Sequence, residues 1–504
     1  MNEQQRAPIW EALIAHRDKH TASFHVPGHK SGAGLDPVAA DWLGGVYSID
    51  LTEIAGLDDL HHPEGVIAEA QRLAAACYGA ERTFLLVGGS TVGNLALILA
   101  VCRPGDVLLV QRNVHKSVLN GLALAGAQAV FIEPQVDAVS GLPCGIRVED
   151  AEEALDRYPD AVGLLLTDPN YYGIGTDLRP LVEAAHRRGV PVLVDAAHGA
   201  HFGFHPELPG SAIAAGADGV VHSTHKMLTA MTMGAMLHVQ GSLLDVQAVA
   251  RALAVVQSSS PSYPILASLD LARRQLAVGG QERLGQAVRT AEGIRETLKR
   301  RMPWLRLAEP SSNIGEVAWT HDPLKLAIHD ATGTLGGFEL LSELEQEGCI
   351  AEMADPQYVL LTLGIPTGGK EADVLIAALE RISSRYELEK QELTPRIKNI
   401  DIIAQPTISV PVPFQFHLSS LRNNGNRNQD HAVQLHRVKV DAAIGFPVDQ
   451  QIVPYPPGVP LLYPGETMTE QAAKRLLEWI EAGSRIHGLN EDATLTIRVN
   501  GGSP

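Results

Sequence analysis

Three histidine–lysine pairs punctuate this chain: His29-Lys30, His115-Lys116 and His225-Lys226. Only the last sits where a lysine could become a nucleophile. It follows an apolar run that reads as a strand (GVVHSTHK) and precedes a glycine- and methionine-rich segment, MLTAMTMGAMLHV. A lysine amine flanked by apolar residues loses hydration, binds its proton less tightly and can attack a carbonyl carbon. Taken alone, a surface lysine at a strand end is the commoner case. Upstream by 31 residues, VPVLVDAAHGAH ends an apolar strand on Asp195. A carboxylate there suits a buried cationic ring nitrogen, although a turn aspartate after a strand is also ordinary. Further upstream, LLVGGSTVGN places Gly88-Gly89-Ser90-Thr91 between a strand and a helix. Glycines allow close backbone approach, hydroxyls donate, and a helix N-terminus favours an anion. That run is neither a Walker A nor a G-x-G-x-x-G pattern, and any tight turn could hold it.

Taken together, these elements describe a site for a phosphorylated aldehyde whose ring nitrogen is kept protonated, which is the chemistry of pyridoxal 5′-phosphate (PLP). The elements that must position them are legible too. From about residue 61 to 240, the apolar runs TFLLVGG, DVLLVQR, AQAVFIEP, AVGLLLTDP, VPVLVDAAH and GVVHSTHK alternate with helical stretches such as TVGNLALILAVC, SVLNGLALAG and LRPLVEAAHRRG. Near-continuous apolar strands spaced by helices predict an α/β fold with a mainly parallel sheet covered on both faces, its site at the carboxyl ends of the strands.

The expected organisation is an N-terminal arm over 1–60, a large cofactor-binding domain over 61–300, a small α/β domain over 301–395 and a C-terminal α+β domain over 396–504. Residues 265–300 read as a long helix pair. The small domain is built from WLRLAE, EVAWT, FELLSELEQEG, YVLLTLG and DVLIAALERISSRYE. The C-terminal part holds an Asn/Arg-rich stretch at 422–431, a proline-dense loop (VPYPPGVPLLYPGE) and a last helix from Thr469.

Composition narrows the function classes. The net charge of −18 argues against a sequence-independent nucleic-acid binder and is compatible with a cationic substrate, though solubility explains it as well. Four scattered cysteines without a C-x-x-C fit a reducing cytoplasm and no structural zinc. The uncharged stretch Thr83–Cys102 has the length of a membrane span, but its central glycines split it into strand, loop and buried helix, and the N-terminus shows no signal peptide.

In its ordered motifs the chain resembles the ornithine/lysine/arginine decarboxylases, PLP enzymes of fold type I, in their short bacterial form. The matching segments are FHVPGHKSG, TEIAGLDDLHHPEG, LLVGGSTVGNLALILA, VQRNVHKSVLNGLALAGA, LTDPNYYG, VPVLVDAAHGAHFGF, HSTHKMLTAMTMGA, QSSSPSYPILASLDLAR and PYPPGVPLLYPGE. They span about residues 20 to 488. The resemblance implies a transferase-like large domain and decarboxylation of a basic L-amino acid (arginine, lysine or ornithine) in polyamine-related metabolism. It implies Lys226 as the Schiff-base lysine, Asp195 as the partner of the ring nitrogen and His115 stacked on the ring. Gly89, Ser90 and Thr91 would hold the phosphate, helped by Ser223 and His225, with Ala197 and His198 on the ring's other face. Lys226, His225 or His198 would protonate the substrate's α-carbon. A homodimer or higher homo-oligomer with shared sites is expected, with Ser258–Tyr263 near the subunit boundary. The acids Asp50, Glu53, Asp58, Asp59, Glu64 and Glu466 are candidates for the substrate's distal cation. The chain departs from its short-form relatives at Ala196, where they carry an acid, and in VDAAIGFPVDQQIVPYPPG.

Rival readings differ in chemistry. An aminotransferase or carbon–sulfur lyase would share the lysine, aspartate and phosphate loop but needs a carboxylate clamp, for which Arg422, Arg427 and Arg437 are the candidates. A metallohydrolase could use His198/His201, His222/His225 or His25/His29, yet no H-E-x-x-H is present. A PLP-binding but inactive regulatory homologue is the third.

Overall fold

The computed structural model describes residues 3–19, 21–309, 319–393, 407–414, 433–455, 458–490 and 492–500. The stretch 422–431, with Arg422 and Arg427, lies outside these residues. All six apolar runs are strands of one eight-stranded sheet. Five of them pair in parallel in the order Gly219–His222, Val192–Asp195, Leu164–Thr167, Val107–Gln111 and Gln128–Ile132. Ala235–Val239, inside the methionine-rich segment, is a strand that the apolar runs did not announce. It returns antiparallel to Gly219–His222, and Arg82–Leu86 then pairs antiparallel with it at the edge.

Alternation explains why both faces are apolar. Leu109, Val130 and Val194 belong to one core cluster, whereas Leu108, Val110 and Leu193 belong to the cluster on the other side. Side chains of a strand point to opposite faces, so a sheet covered twice needs apolar residues at every position. Helix Gly89–Val101 packs so closely that a Cβ on Gly93 would meet Val221 Cγ1 at 2.8 Å.

The expected helix pair is present: Tyr263–Arg301 comprises two helices joined across a kink at Gly279, whose backbone leaves helical geometry. Beyond it, a four-stranded antiparallel sheet runs Met353–Ala354, Val359–Thr362, Lys325–Asp330, Leu305–Leu307. Its central strand Lys325–Asp330 was absent from the sequence reading. Trp319–His321, expected in this unit, pairs instead with Ile174–Thr176 of the large domain. The C-terminal part contributes the ribbons Val433–Lys439/Thr494–Asn500 and Val453–Tyr455/Arg485–His487, and helix Glu470–Glu481 capped by the Thr469 side chain. Among the described residues, no helix is long and apolar enough to cross a membrane.

Gly93→Val should destabilise the protein by about 1–3 kcal/mol, because a β-branched side chain overpacks the helix–sheet contact. Urea unfolding at neutral pH measures the loss; an unchanged midpoint would mean that this helix does not rest on the sheet as described.

Candidate active site

The parallel strands all end at one side of the sheet, and the residues that follow them meet around a cavity of about 960 Å³. Ser90, His115, Tyr171, Asp195, His198 and Lys226 line it, each just beyond or at the carboxyl end of a strand. Lys226, Asp195 and the first turn of helix Gly89–Val101 therefore share one chamber. Ala197 lines it as well.

Lys226 Nζ lies 3.0 Å from His198 Nε2 and 5.1 Å from the centre of the Tyr171 ring. Burial lowers its pKa below the ordinary lysine value, while the Asp195 carboxylate pulls the other way. His198 is 4% exposed, and burial, reinforced by Lys226 and Lys325, holds its pKa well below the usual histidine value. The ring is neutral. Asp195 is buried with its carboxylate oriented: Asn94 Nδ2 donates to Oδ2 at 2.7 Å and the Ala197 N–H to Oδ1 at 3.2 Å. Asn94 Nδ2 also donates to Ser117 Oγ at 3.0 Å, and that hydroxyl lies 2.9 Å from His115 Nδ1. Because His115 Nδ1 accepts the Ser117 N–H at the start of helix Lys116–Ala125, the proton of its neutral ring resides on Nε2.

The lysine turn is held by the unannounced strand. The His225 N–H donates to the Gly234 carbonyl at 3.1 Å, and His225 Nδ1 contacts the same oxygen at 2.9 Å. The Gly89 N–H donates to the Met233 carbonyl at 2.9 Å, so that amide is engaged within the protein. Gly89 itself has φ +76°, a conformation glycine adopts without strain. Ser223 Oγ donates to Ser90 Oγ at 2.7 Å from behind the loop. Thus Gly89, Thr91, Ser223 and His225 surround the chamber without lining it. His225 faces the Gly234 carbonyl rather than the cavity.

Five of the six acids nominated for a distal cation, all but Glu64, have other partners. Asp58 accepts five backbone N–H groups around the start of helix Val66–Tyr78, from Asp59, Glu64, Gly65, Ile67 and Ala68, which together hold its pKa below the usual carboxylate value despite burial. Asp50 faces His29 at 3.2 Å, Asp59 accepts the His61 N–H, and Glu53 accepts the Thr52 hydroxyl. Glu466 forms a two-pronged ion pair with Arg112, which also meets Glu133 at 3.1 Å. Arg437 is tied to Asp492 and Thr494 on a surface ribbon. Ser258–Ser260 are exposed, whereas Tyr263 is fully buried and donates to the Asp58 carbonyl at 2.7 Å. Of the candidate metal pairs, His198 faces lysines, His201 lies 3.0 Å from Asp322 and His222 lies 3.1 Å from His238.

Sequence reasoning missed Asn94, Tyr171, Arg112 and Lys325. Asn94 sits five residues after Gly89, one turn into the helix, and that spacing could have pointed it at the aspartate. Tyr171 lies in the quoted LTDPNYYG motif without having been given a task. Arg112 lies likewise in the quoted VQRNVHKSVLNGLALAGA segment, whereas Lys325 had no local signal.

The model of the Orn/Lys/Arg decarboxylase major domain matches residues 7–318, and that of the family's C-terminal domain matches 425–492. The chain is 41% identical to the uncharacterized protein YaaO of Bacillus subtilis over 95% of this chain and 96% of that protein. It is 34% identical to an arginine decarboxylase of Halalkalibacterium halodurans over 99% of this chain and 98% of the relative. Among solved structures it resembles lysine decarboxylase A from Pseudomonas aeruginosa, with TM-score 0.81 at 19% identity over 98% of this chain and 81% of that one. A more distant likeness is to an SPT with PLP, with TM-score 0.53 at 16% identity over 76% and 86% of the two chains.

Burial pushes the Glu133 carboxyl up to about 7, with Arg112 opposing and Glu466 reinforcing the rise. A carboxyl with a raised folded-state pKa binds protons more tightly folded than unfolded, so its contribution to stability falls as pH rises from about 4.5 to 7. Glu133→Gln should therefore be more stable than wild type at pH 8 and gain nothing at pH 4. Urea midpoints at the two pH values check the crossover.

Proposed function

This chain belongs to the Orn/Lys/Arg decarboxylase family, and from that premise we propose how its residues divide the work of converting a basic L-amino acid into the corresponding amine and carbon dioxide. The observation that carries the reading is the shared chamber of Lys226, Asp195 and the Ser90 helix start. These groups fit PLP: an amine of lowered basicity for its aldehyde, a buried carboxylate for its ring nitrogen, and a helix N-terminus with a hydroxyl for its phosphate. Bound there, the cofactor supplies the electron sink for the pair left behind when the carboxylate departs.

The chain's own residues do the rest. Lys226 would hold the cofactor covalently through its amine. Asn94 and the Ala197 amide fix the Asp195 carboxylate so that its remaining lone pairs can face a ring N–H. His115, supported through Ser117, and Ala197 line the chamber where they would flank the ring. Ser90 would meet the phosphate, with Ser223 steadying its hydroxyl, while Gly89, Thr91 and His225 shape the turn. Lys226 or His198 delivers the proton to the substrate's α-carbon, since both line the chamber and His225 is turned to Gly234.

We assign arginine as the preferred substrate, supported by the full-length relative at 34% identity that carries that name. A second copy of the chain is the proposed partner. Helix Pro37–Tyr47 buries none of its residues, and Phe24 and Trp42 are 95% and 87% exposed, so the arm presents apolar surface that a neighbouring subunit would cover. Four unpaired cysteines fit a reducing cytoplasm. The division at 61–300, 301–395 and 396–504, with the arm over 1–60, and a role in polyamine metabolism complete the reading.

Purified wild-type protein should carry the visible absorbance of bound PLP, and Lys226→Ala should lack it. Carbon dioxide release should be at least about tenfold faster with arginine than with lysine or ornithine; formation of a keto acid instead would overturn the reaction assigned. Sedimentation should give a dimer or a larger assembly, and a double change Phe24→Glu, Trp42→Glu should shift it toward monomer with loss of turnover.

A further inference from the structure

The small sheet brings to this site a lysine that the reaction above leaves unused. Lys325 begins the strand Lys325–Asp330 and is 1% exposed. Its Nζ lies 3.3 Å from His198 Nδ1 and donates to Thr362 Oγ1 at 2.9 Å, across the strand pair in which Lys325 and Thr362 are register partners. On the other side of the ring, His198 Nε2 lies 3.0 Å from Lys226 Nζ. One buried imidazole bridges a buried lysine and a half-buried one.

Counting hydrogens restricts the protonation of this trio. A neutral imidazole has one N–H and one lone pair, and an ammonium can only donate. A neutral amine can give as well as receive, so the contacts alone admit two neutral lysines; with one more proton, the charged lysine gives to the lone pair and the other is a neutral amine receiving the N–H. Two arrangements satisfy this. In one, Lys325 is charged, the ring carries its proton on Nε2 and Lys226 is neutral. In the other, Lys226 is charged, the ring carries its proton on Nδ1 and Lys325 is neutral. They interconvert when the Lys325 N–H breaks as Nδ1–H forms, and Nε2–H breaks as a Lys226 N–H forms. The trio keeps a single positive charge throughout.

We propose that Lys325 is the proton reservoir of Lys226, exchanging one proton with it through the His198 ring. The inference rests on Lys226 being the cofactor lysine. While Lys226 is held covalently it cannot be an ammonium, so the charge rests on Lys325; on release Lys226 is a neutral amine and takes the proton through the ring. The surroundings support the exchange. Asp322, Glu352 and Lys226 face Lys325, and Asp322 lies 3.0 Å from His201. Asp195 and Glu352 face Lys226, while His115, His201 and Tyr171 join the two lysines around His198. Burial pushes Lys325 down to about 8 and lowers Lys226 as well, so neither amine holds the proton as tightly as a lysine in water.

The test is trace labelling of Lys226 by acetic anhydride in the full chain stripped of cofactor, followed by peptide mapping across pH. In Lys325→Met the neighbouring charge is gone, so the labelling midpoint should rise by about one unit and labelling at neutral pH should slow about tenfold. In Lys325→Arg the charge stays but the proton is not released, so the midpoint should match wild type while kcat falls about tenfold at unchanged KM. A packing defect would move both variants together. An unmoved midpoint in Lys325→Met, or full kcat in Lys325→Arg, overturns the reservoir; should the methionine variant not fold, the kcat and KM of the arginine variant decide alone. Added PLP must shield Lys226 from the reagent in wild type. Absence of shielding would remove the Lys226 assignment itself, a failure distinct from that of the relay.

Discussion

A lysine amine taken out of water keeps its proton only against a neighbouring negative charge or acceptor, and here the neighbours of Lys226 are Asp195 and the ring of His198. Burial weakens the amine as a base, the carboxylate partly restores it, and the neutral ring offers either a hydrogen or a lone pair. The position of Lys226 between those influences is what gives the chamber its chemistry. A carboxylate in the same low-dielectric space would be costly without its own donors, and Asn94 and the Ala197 amide supply them. The buried position of Ala196 fits the same constraint. At 2% exposed, an alanine brings no charge that would need a partner there.

The fold brings these groups together through strand direction. Parallel strands end on the same side, so residues far apart in the chain, from Ser90 to Lys226, arrive at one edge of the sheet. The antiparallel return of Ala235–Val239 then places the carbonyls of Met233 and Gly234 where they bind the Gly89 amide and His225. That single reversal couples the glycine loop to the lysine turn, and explains why His225 is a structural neighbour of the site rather than part of its wall.

The other units complete the chamber from outside the large sheet. Arg112, at the end of a central strand, is stacked over Tyr463 at 4.5 Å and paired with Glu466, both from the C-terminal proline loop. A buried two-pronged pair of this kind fixes orientation, and removing one partner costs about 3–5 kcal/mol because the other charge is left stranded. The Lys116 N–H donates to the Gly458 carbonyl of the same loop. Opposite, the small sheet delivers Lys325 to the back of His198. The site is thus assembled from three parts of the chain.

What the sequence by itself determined were the features written in local order: six apolar strands, the helices between them, a glycine turn before a helix, and Asp195 and Lys226 at strand ends. Those follow from hydrophobic periodicity and backbone preference, which act over a few residues and are readable from them. The strand Lys325–Asp330 was missed because HDPLKLAIHD begins and ends in charge, and only its position between two partner strands makes it central. The acids of residues 50–64 looked like candidates because a string of letters cannot show that Asp58 already holds five backbone amides. Only the tertiary structure decided that His225 turns away, that Asn94 reaches Asp195, and that a second lysine stands behind His198. The last two contacts join residues more than a hundred positions apart, and burial and hydrogen-bond geometry exist only once the chain has closed around them.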